Sequence, residues 1–532
     1  MKFFNTAGPN QSEIHYTLPP LARWNLPEIL SLIEARKYFI LHAPRQTGKT
    51  SCMLALREYL NEEGKYNALY VNIEGAQAAR ENVLRGIQAI MSVLSTQHQM
   101  IYKNNMLEDH WKEILDKNGA EASLGKLLNY WTTNSDKPTV LFIDEIDALI
   151  GDTLISVLRQ IRSGYADRPA AFPQSIILCG VRDVRDYRIH SAATKEIITG
   201  GSAFNIKAES LRLGNFTFED IISLYAEHTK ETGQTFEEGI FELAWNYTGG
   251  QPWLVNALAH EVCFEQKENR DRTKPITVEM FSQAKESLIL RRDTHLDQLI
   301  DKLKEDRVQR IIEPMLKGDD IEKFQEDDTQ YAIDLGLITR TKNGLAISNS
   351  IYKEIIPREL TYLPQINFES RYRQVWYLDP TTNKIDFQKL LTAFQEFFQE
   401  NSESWIERFD YKEAGAQLLL QAFLQRIVNG GGIINREYGL GTKRTDLYIK
   451  WYPDEANHSI SQKVVIECKL LHKTLDKTIQ EGLLQSVEYA DKCSAEDIHL
   501  IIFDRTKDKP WQEKLFVKEM ELDGRKILVW GM

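Results

Sequence analysis

The eight residues Ala43–Thr50, APRQTGKT, constrain the fold more than any other stretch of this chain. They follow an apolar run, Tyr38–His42, that reads as a buried strand. They precede Met53, Leu54, Leu56 and Leu60, which fall at helical spacing. Strand, glycine-lysine loop, helix is the phosphate-loop pattern GxxxxGK[ST], here with Ala43 in place of the first glycine. The physics survives that exchange. Gly48 lets the backbone approach an anion, and the amides of residues 46–50 with the helix N-terminus cradle its oxygens. Pro44, Arg45, Gln46, Thr47, Gly48, Lys49, Thr50 and Ser51 are therefore the expected nucleotide-binding residues. Lys49 would reach the β/γ-phosphates, and the Thr50 hydroxyl would ligate Mg²⁺. ATP and Mg²⁺ are the expected cofactors.

A second element is required, and KPTVLFIDEIDALI supplies it. An apolar strand, Thr139–Ile143, ends in Asp144 and Glu145, where a parallel sheet presents its ligands. Asp144 would hold Mg²⁺ through water. Glu145 would orient or deprotonate an attacking water, which makes the expected site hydrolytic. Strands at 68–74, 175–180 and 203–207 complete the sheet, and Asn72 is placed to polarise Glu145. Arg182 and Arg185, beyond the strand 175–180, read either as a phosphate sensor or as a solvated basic loop. Arg159 and Arg162 are alternative candidates for an arginine acting in trans.

At 532 residues the chain exceeds a single core, and two to four domains are expected. No apolar run of about 18 residues appears, so no membrane-spanning helix is expected. The start, MKFFNTAGPNQSE, turns polar too soon for a signal peptide. Five scattered cysteines suit a reducing cytoplasm rather than a disulfide framework or a CxxC zinc site. A net charge of −12 excludes a basic protein that coats DNA, but leaves room for a local nucleic-acid channel.

PPLARWNLPEILSLIEARKYFILHAPRQTGKTS, VLFIDEID and TGGQPWLVNALA together resemble the AAA-like ATPases of prokaryotes, relatives of the archaeal ATPase and STAND groups within the AAA+ class. The resemblance covers roughly residues 1–290. It implies a P-loop core at 1–215 and a helical lid at 216–290, with Gly249–Trp253 opening a lid helix toward the nucleotide. The lid lacks the arginine that many such lids carry there. Residues 4–9 and 15–20 would wrap the adenine or serve as a packing arm. A homo-oligomer is implied.

DDTQYAIDLGLITRTKNGLAISNSIYKEII follows. A helix, Asp327–Leu335, stops at Gly336. Strands Leu337–Thr341 and Leu345–Ser348 flank an Asn343-Gly344 turn, and a last helix follows. The order resembles a winged helix, expected at 291–361. Its groove helix begins EDDTQ and carries Asp334, and acidic groups repel phosphate. Packing or a protein partner is therefore favoured, while Arg340 and Lys342 keep DNA open.

A helical connector is expected at 362–405, and from 406 to 532 the order is helix, three strands, helix, strand. The first helix reads Lys412–Val428 and the hairpin strands 433–438 and 445–451. VVIECKLL follows a polar loop, and after it come a helix at 474–492 and the strand IHLIIFD. Glu467 and Lys469 share one strand face with Val465, and Ile466, Cys468 and Leu470 face the other way. Asp446 lies on the neighbouring strand. Two carboxylates and a lysine suit phosphodiester hydrolysis: Asp446 and Glu467 as ligands of Mg²⁺ or Mn²⁺, Lys469 beside the phosphate. D-x(20)-E-x-K in this order resembles the PD-(D/E)XK nuclease superfamily, with Thr445 where a proline is usual. The resemblance implies an accessory role for Gln485 and Tyr489, which match the Q-x-x-x-Y of RecB-like nucleases. Glu413 and Glu437 are further candidate carboxylates.

The expected fold class is thus α/β: a P-loop ATPase with helical lid, a winged-helix domain, and a C-terminal α/β restriction-endonuclease-like domain. The expected function is an AAA-like ATPase coupled to a metal-dependent DNA nuclease, in what such fusions suggest is defence or mobile-element biology. The alternative is a STAND-like nucleotide-controlled signalling or scaffold ATPase whose nuclease-like domain only binds DNA or a partner.

Overall fold

The computed structural model describes residues 2–183, 188–190, 197–199, 207–291, 294–317, 325–342, 344–356, 376–406, 420, 423–424, 432–440, 443–453, 461–471, 474–504, 506 and 509–532. Two compact units emerge. One comprises Met1–His295 with Gln330–Thr339, the other Leu296–Thr329 with Arg340–Met532.

The first unit carries β1 (Tyr38–His42), β2 (Asn67–Asn72), β3 (Thr139–Asp144), β4 (Ser175–Gly180), a short antiparallel pair β5 (Arg188–His190) and β6 (Ile197–Thr199), and β7 (Lys207–Arg212). Five strands form one sheet in the order β2-β3-β4-β1-β7, and every pairing in it is parallel. All of β3 and β4 is buried, as a sheet covered on both faces requires. Alternation divides β1: Phe39 and Leu41 join Met53, Leu56 and Leu60 of the helix Lys49–Glu63 on one face. Tyr38 and Ile40 join the other core. Three helices not anticipated from the sequence fill that second face, Val83–Tyr102, Met106–Asn118 and Ser123–Thr133. Trp131 is fully buried among them.

Of the strand expected at 203–207, only Lys207 lies among the described residues, and it is in a strand. Described strand structure at this edge is Lys207–Arg212, KAESLR, and residues 203–206 lie outside the described residues. β7 is an edge strand with Glu209 and Arg212 exposed, so it lacks the apolar run by which its neighbours are read. The lid helices Phe218–Thr232, Ile240–Thr248, Pro252–His260 and Val278–Arg291 follow it.

The helix Glu326–Asp334 ends as the sequence predicts. Gly336 has φ +78° and donates to Ile333 O at 2.9 Å, while Leu337 N reaches Ala332 O at 3.0 Å. β8 (Ile338–Thr341) and β9 (Gly344–Ile347) form a two-stranded hairpin, with Asn343 outside the described residues. Glu326 and Asp327 of this helix are exposed, but Asp328 and Asp334 are not. Asp328 is buried and accepts Arg310 Nε at 3.0 Å and Nη2 at 2.8 Å, with Arg307 Nε at 3.3 Å. Its charge is spent inside the second unit, which accords with a packing role.

The second unit's main sheet runs β10 (Gly432–Leu440), β11 (Lys443–Trp451), β12 (Gln462–Leu470), β13 (Asp497–Phe503), β14 (Phe516–Leu522) and β15 (Arg525–Gly531), in spatial order β10-β11-β12-β13-β15-β14. β11 and β12 pair antiparallel; β12, β13 and β15 run parallel. The final hairpin was not anticipated, although Asp523 (φ +52°) and Gly524 (φ +74°) form its turn. On one face the helix Phe387–Ile406 places Phe394 and Phe397 against Ile466, Cys468 and Leu470. On the other, the helix Leu475–Cys493 packs Leu483 and Val487 against Val465 and Leu500. Most of the helix expected at Lys412–Val428 lies outside the described residues; Leu420, Phe423 and Leu424 are buried in the first of these cores.

Helix and sheet approach most closely at Gly482, where a Cβ would lie 2.5 Å from Leu500 Cδ1. Gly482→Val should therefore destabilise the protein by about 1–3 kcal/mol through overpacking. A lowered calorimetric transition temperature checks this.

Candidate functional site

The chain leaves β1 at His42, and Ala43 N donates to Gly180 O of β4 at 3.3 Å. The loop then bends through two residues with positive φ, Gln46 (+57°) and Gly48 (+91°). At Gly48 contact adds to conformation, since a Cβ would lie 2.7 Å from Arg23 Nη1. That guanidinium donates to Thr47 O at 2.5 Å and to Gly214 O at 2.7 Å, 4.7 Å above the Phe216 ring. Arg23 thus ties the loop to the segment after β7, a role with no local motif to announce it. Thr47 Oγ1 closes the loop onto Pro44 O at 2.8 Å. Lys49 is 7% exposed, and its ammonium donates to Ala43 O and Pro44 O, both at 2.9 Å. A buried cation partnered by neutral carbonyls is a site prepared for an anion.

Beside it stands the acidic pair. Asp144, 1% exposed, accepts the Thr50 hydroxyl and the Tyr70 hydroxyl on Oδ2, both at 2.7 Å, and the Glu145 amide on Oδ1 at 2.9 Å. Glu145 sits at φ +59°. Burial pushes its carboxyl above the ordinary value, Asp147 and Asp144 push it the same way, and Lys49 and Arg45 oppose them. Asp147 in turn accepts Val181 N at 3.4 Å, joining the ends of β3 and β4. Asn72, expected to polarise Glu145, instead accepts the Glu74 amide at 2.8 Å as a turn cap. Tyr70 was missed because only the β2–β3 register, Asn72↔Asp144, brings it to the acid.

An N-terminal arm and the lid border a cleft that reaches Gly48 and Ser51. Both expected arm segments line it, through Thr6 and Gly8 and through Tyr16 and Pro20. Asn10 N donates to Ser51 Oγ at 3.0 Å. Gly249 (φ +56°) and Gly250 (φ +72°) turn the chain into the lid helix, and a Cβ on Gly250 would strike Phe216 O at 2.1 Å. Trp253, one residue into that helix, donates to Thr6 O at 2.8 Å and stacks on His295 at 4.8 Å. His295 Nδ1 lies 2.6 Å from Gln46 Oε1, and burial lowers its imidazole to about 4. Arm, lid and phosphate loop are thereby linked.

Arg182 is buried rather than solvated. Its Nε donates to Asp334 Oδ2 at 3.2 Å, and its guanidinium lies 4.9 Å over Tyr331. Arg185 lies outside the described residues. Arg159 and Arg162 are exposed on the helix Gly151–Ser163.

In the second unit Glu467 is 3% exposed and accepts Lys469 Nζ at 2.9 Å, so the two project together as their spacing predicts. The β11–β12 ladder runs from Trp451↔Gln462 to Leu447↔Ile466, and Asp446 and Glu467 are the next residues on the two strands. The side chains of Asp446 and Glu437, and all of Glu413, lie outside the described residues. Tyr489 is buried on the Val465 face, and Gln485 Oε1 is buried with no hydrogen-bond partner among the described residues. Among the described residues no group of three or more His, Cys, Asp or Glu side chains could hold a metal.

Residues 33–357 match the model of a family described as an AAA-like domain. The chain is similar to the Walker-type ATPase PABY2304 of Pyrococcus abyssi, with 15% identity over 66% of this chain and 99% of that one and a TM-score of 0.44. It is similar to the RuvB Holliday junction branch migration motor of Thermotoga maritima, at 15% identity, 62% and 93% coverage and a TM-score of 0.32. Cdc6p from Pyrobaculum aerophilum gives 15%, 65%, 95% and 0.35. No curated protein matches the chain. No helix among the described residues is long and apolar enough to cross a membrane.

Tyr70→Phe removes a hydrogen bond to a buried carboxylate and should cost about 1.5–3 kcal/mol of stability, falling to about 0.5–1.5 kcal/mol in an Asp144→Asn background. A double-mutant cycle by denaturant unfolding measures the difference.

Proposed function

The chain belongs to the AAA-like domain family, and from that premise we propose that it binds and hydrolyses ATP at Ala43–Thr50 and couples this to a metal-dependent DNA nuclease in its second unit. One observation carries the ATPase reading. A buried lysine whose hydrogen-bond partners among the described residues are two carbonyls stands at a loop whose threonine hydroxyl lies 2.7 Å from a buried aspartate. The β/γ-phosphates would replace the two carbonyls at Lys49. Thr50 and Asp144 are hard oxygen donors already in contact, which suits Mg²⁺, and the bound ion would offset phosphate charge. The base would enter the cleft between the arm and Trp253. Glu145, with its raised carboxyl, would take the proton of the attacking water. Exposed Arg159 and Arg162 remain available to a neighbouring copy in a homo-oligomer.

The nuclease reading is supported by buried Glu467 paired with part-exposed Lys469 on a central strand, by Asp446 on the adjoining strand, and by the helix bearing Gln485 and Tyr489 on the same face. Asp446 and Glu467 would hold Mg²⁺ or Mn²⁺, which would supply an activated water and stabilise phosphorane charge. Lys469 would stand by the scissile phosphate, and DNA is the proposed polynucleotide. The segment 291–361, which carries β8 and β9, would act as a winged helix that packs or meets a protein partner.

Lys49→Ala should abolish ATP binding in a fluorescent-nucleotide titration. Glu145→Gln should bind normally and lose at least about 100-fold in turnover. The pH dependence has a definite sign. A raised carboxyl stays protonated to higher pH, so turnover falls as pH drops through that raised value, above the ordinary value of about 4.3. Asp147→Asn removes a like charge and should move this acid limb to lower pH. For the nuclease, plasmid and single-stranded DNA cleavage is measured with metal and ATP varied independently. Wild type should cleave and Lys469→Ala should not. Equal inactivity of both on every substrate and metal would leave the second unit as a module that only binds DNA or a partner.

A further inference from the structure

The segment Gln330–Gly336 lies across the ends of three adjacent strands. Beyond β4, Arg182 pairs with Asp334 at 3.2 Å and lies over Tyr331. Beyond β1, the Pro44 ring meets Gly336, where a Cβ would come within 2.9 Å. At the end of β7, Arg212 Nη2 donates to Ile333 O at 3.2 Å. The carboxyl ends of neighbouring parallel strands are where such sheets take ligands, and here they already hold a piece of the chain's own backbone. Each member of the ion pair stands two residues along the chain from a glycine that touches the phosphate loop. Gly180, two before Arg182, accepts the Ala43 amide, and Gly336, two after Asp334, abuts the Pro44 whose carbonyl holds Lys49. Asp334 is 1% exposed, and Gln330 Nε2 donates to its other oxygen at 2.8 Å.

We propose that Gln330–Gly336 is a nucleotide-dependent latch in which Asp334 and the terminal phosphate of a bound nucleoside triphosphate compete for Arg182. The proposal rests on the ATP reading of the Lys49 loop. Removing one member of a buried pair is costly, so Arg182 releases Asp334 most readily when another anion takes its place. A terminal phosphate supplies the replacement; a diphosphate, one phosphoryl group shorter, does not. Triphosphate then frees Asp334, and with it a segment whose chain runs on at both ends into the second unit. Linkage makes the effect reciprocal: whatever weakens the Arg182–Asp334 pair must tighten triphosphate binding by the same factor.

The test uses the full chain and fluorescent analogues of a non-hydrolysable triphosphate and of ADP. Asp334→Asn keeps the shape and one acceptor oxygen but removes the charge. It should lower the Kd for the triphosphate about fivefold or more, within the usual span of coupling between sites, and move the Kd for ADP less than about twofold. Gly336→Ala pushes the segment from Pro44 by contact, adds strain at a residue with φ +78°, and should shift binding in the same direction. In wild type, amide hydrogen exchange across 330–339 should rise with the triphosphate analogue and not with ADP, which tests the latch without any substitution. Wild-type binding that Lys49→Ala abolishes, with no effect of Asp334→Asn and identical exchange in both nucleotide states, overturns the latch and leaves the ATP site standing. No binding by wild type overturns both.

Discussion

The charge on Lys49 has to be buried for this site to exist. An ammonium at 7% exposure with two carbonyls for partners is a standing electrostatic deficit. The surroundings are arranged to hold it. Gln46 and Glu145 adopt positive φ without being glycine, and such backbone persists only where neighbours over-determine it. At Gln46 the neighbour is His295; at Glu145 it is the Asp144 carboxylate under the amide. β4 lies between β1 and β3, yet the Thr50 hydroxyl meets Asp144 because the three parallel strands run in register, Phe39↔Ile177 and Phe142↔Ile177.

What could be read from the sequence was what is local. The phosphate loop, the strand into Asp144, the Gly336 stop and the Glu467/Lys469 face each depend on residues a few positions apart. The participants supplied from elsewhere could not be read that way. Tyr70 reaches Asp144 by strand register, Arg23 reaches the loop across the unit, and the Arg182–Asp334 pair joins residues 152 apart in the chain. The described extent of β7, Lys207–Arg212, runs past the range read from the sequence, because an edge strand needs no apolar run. The β14–β15 hairpin was missed even though its Asp523-Gly524 turn is a strong local signal.

Acidic residues show how little charge sign means before burial is known. The sequence EDDTQ with Asp334 suggested a surface hostile to phosphate. In the fold, Asp328 and Asp334 are interior partners of arginines. Glu467 is likewise interior, on a strand whose opposite face packs against phenylalanines. Three acids counted toward a net charge of −12 therefore contribute little to the field outside.

The arm that borders the cleft has a kinetic meaning. It is tied to the phosphate-loop helix through Asn10 and Ser51 and to the lid through Thr6 and Trp253. A base held behind it departs only when those two tethers part, whatever the affinity of the phosphates. Nucleotide residence time would then be governed by the breathing of a short N-terminal strap, so that exchange and hydrolysis answer to different parts of the same chain.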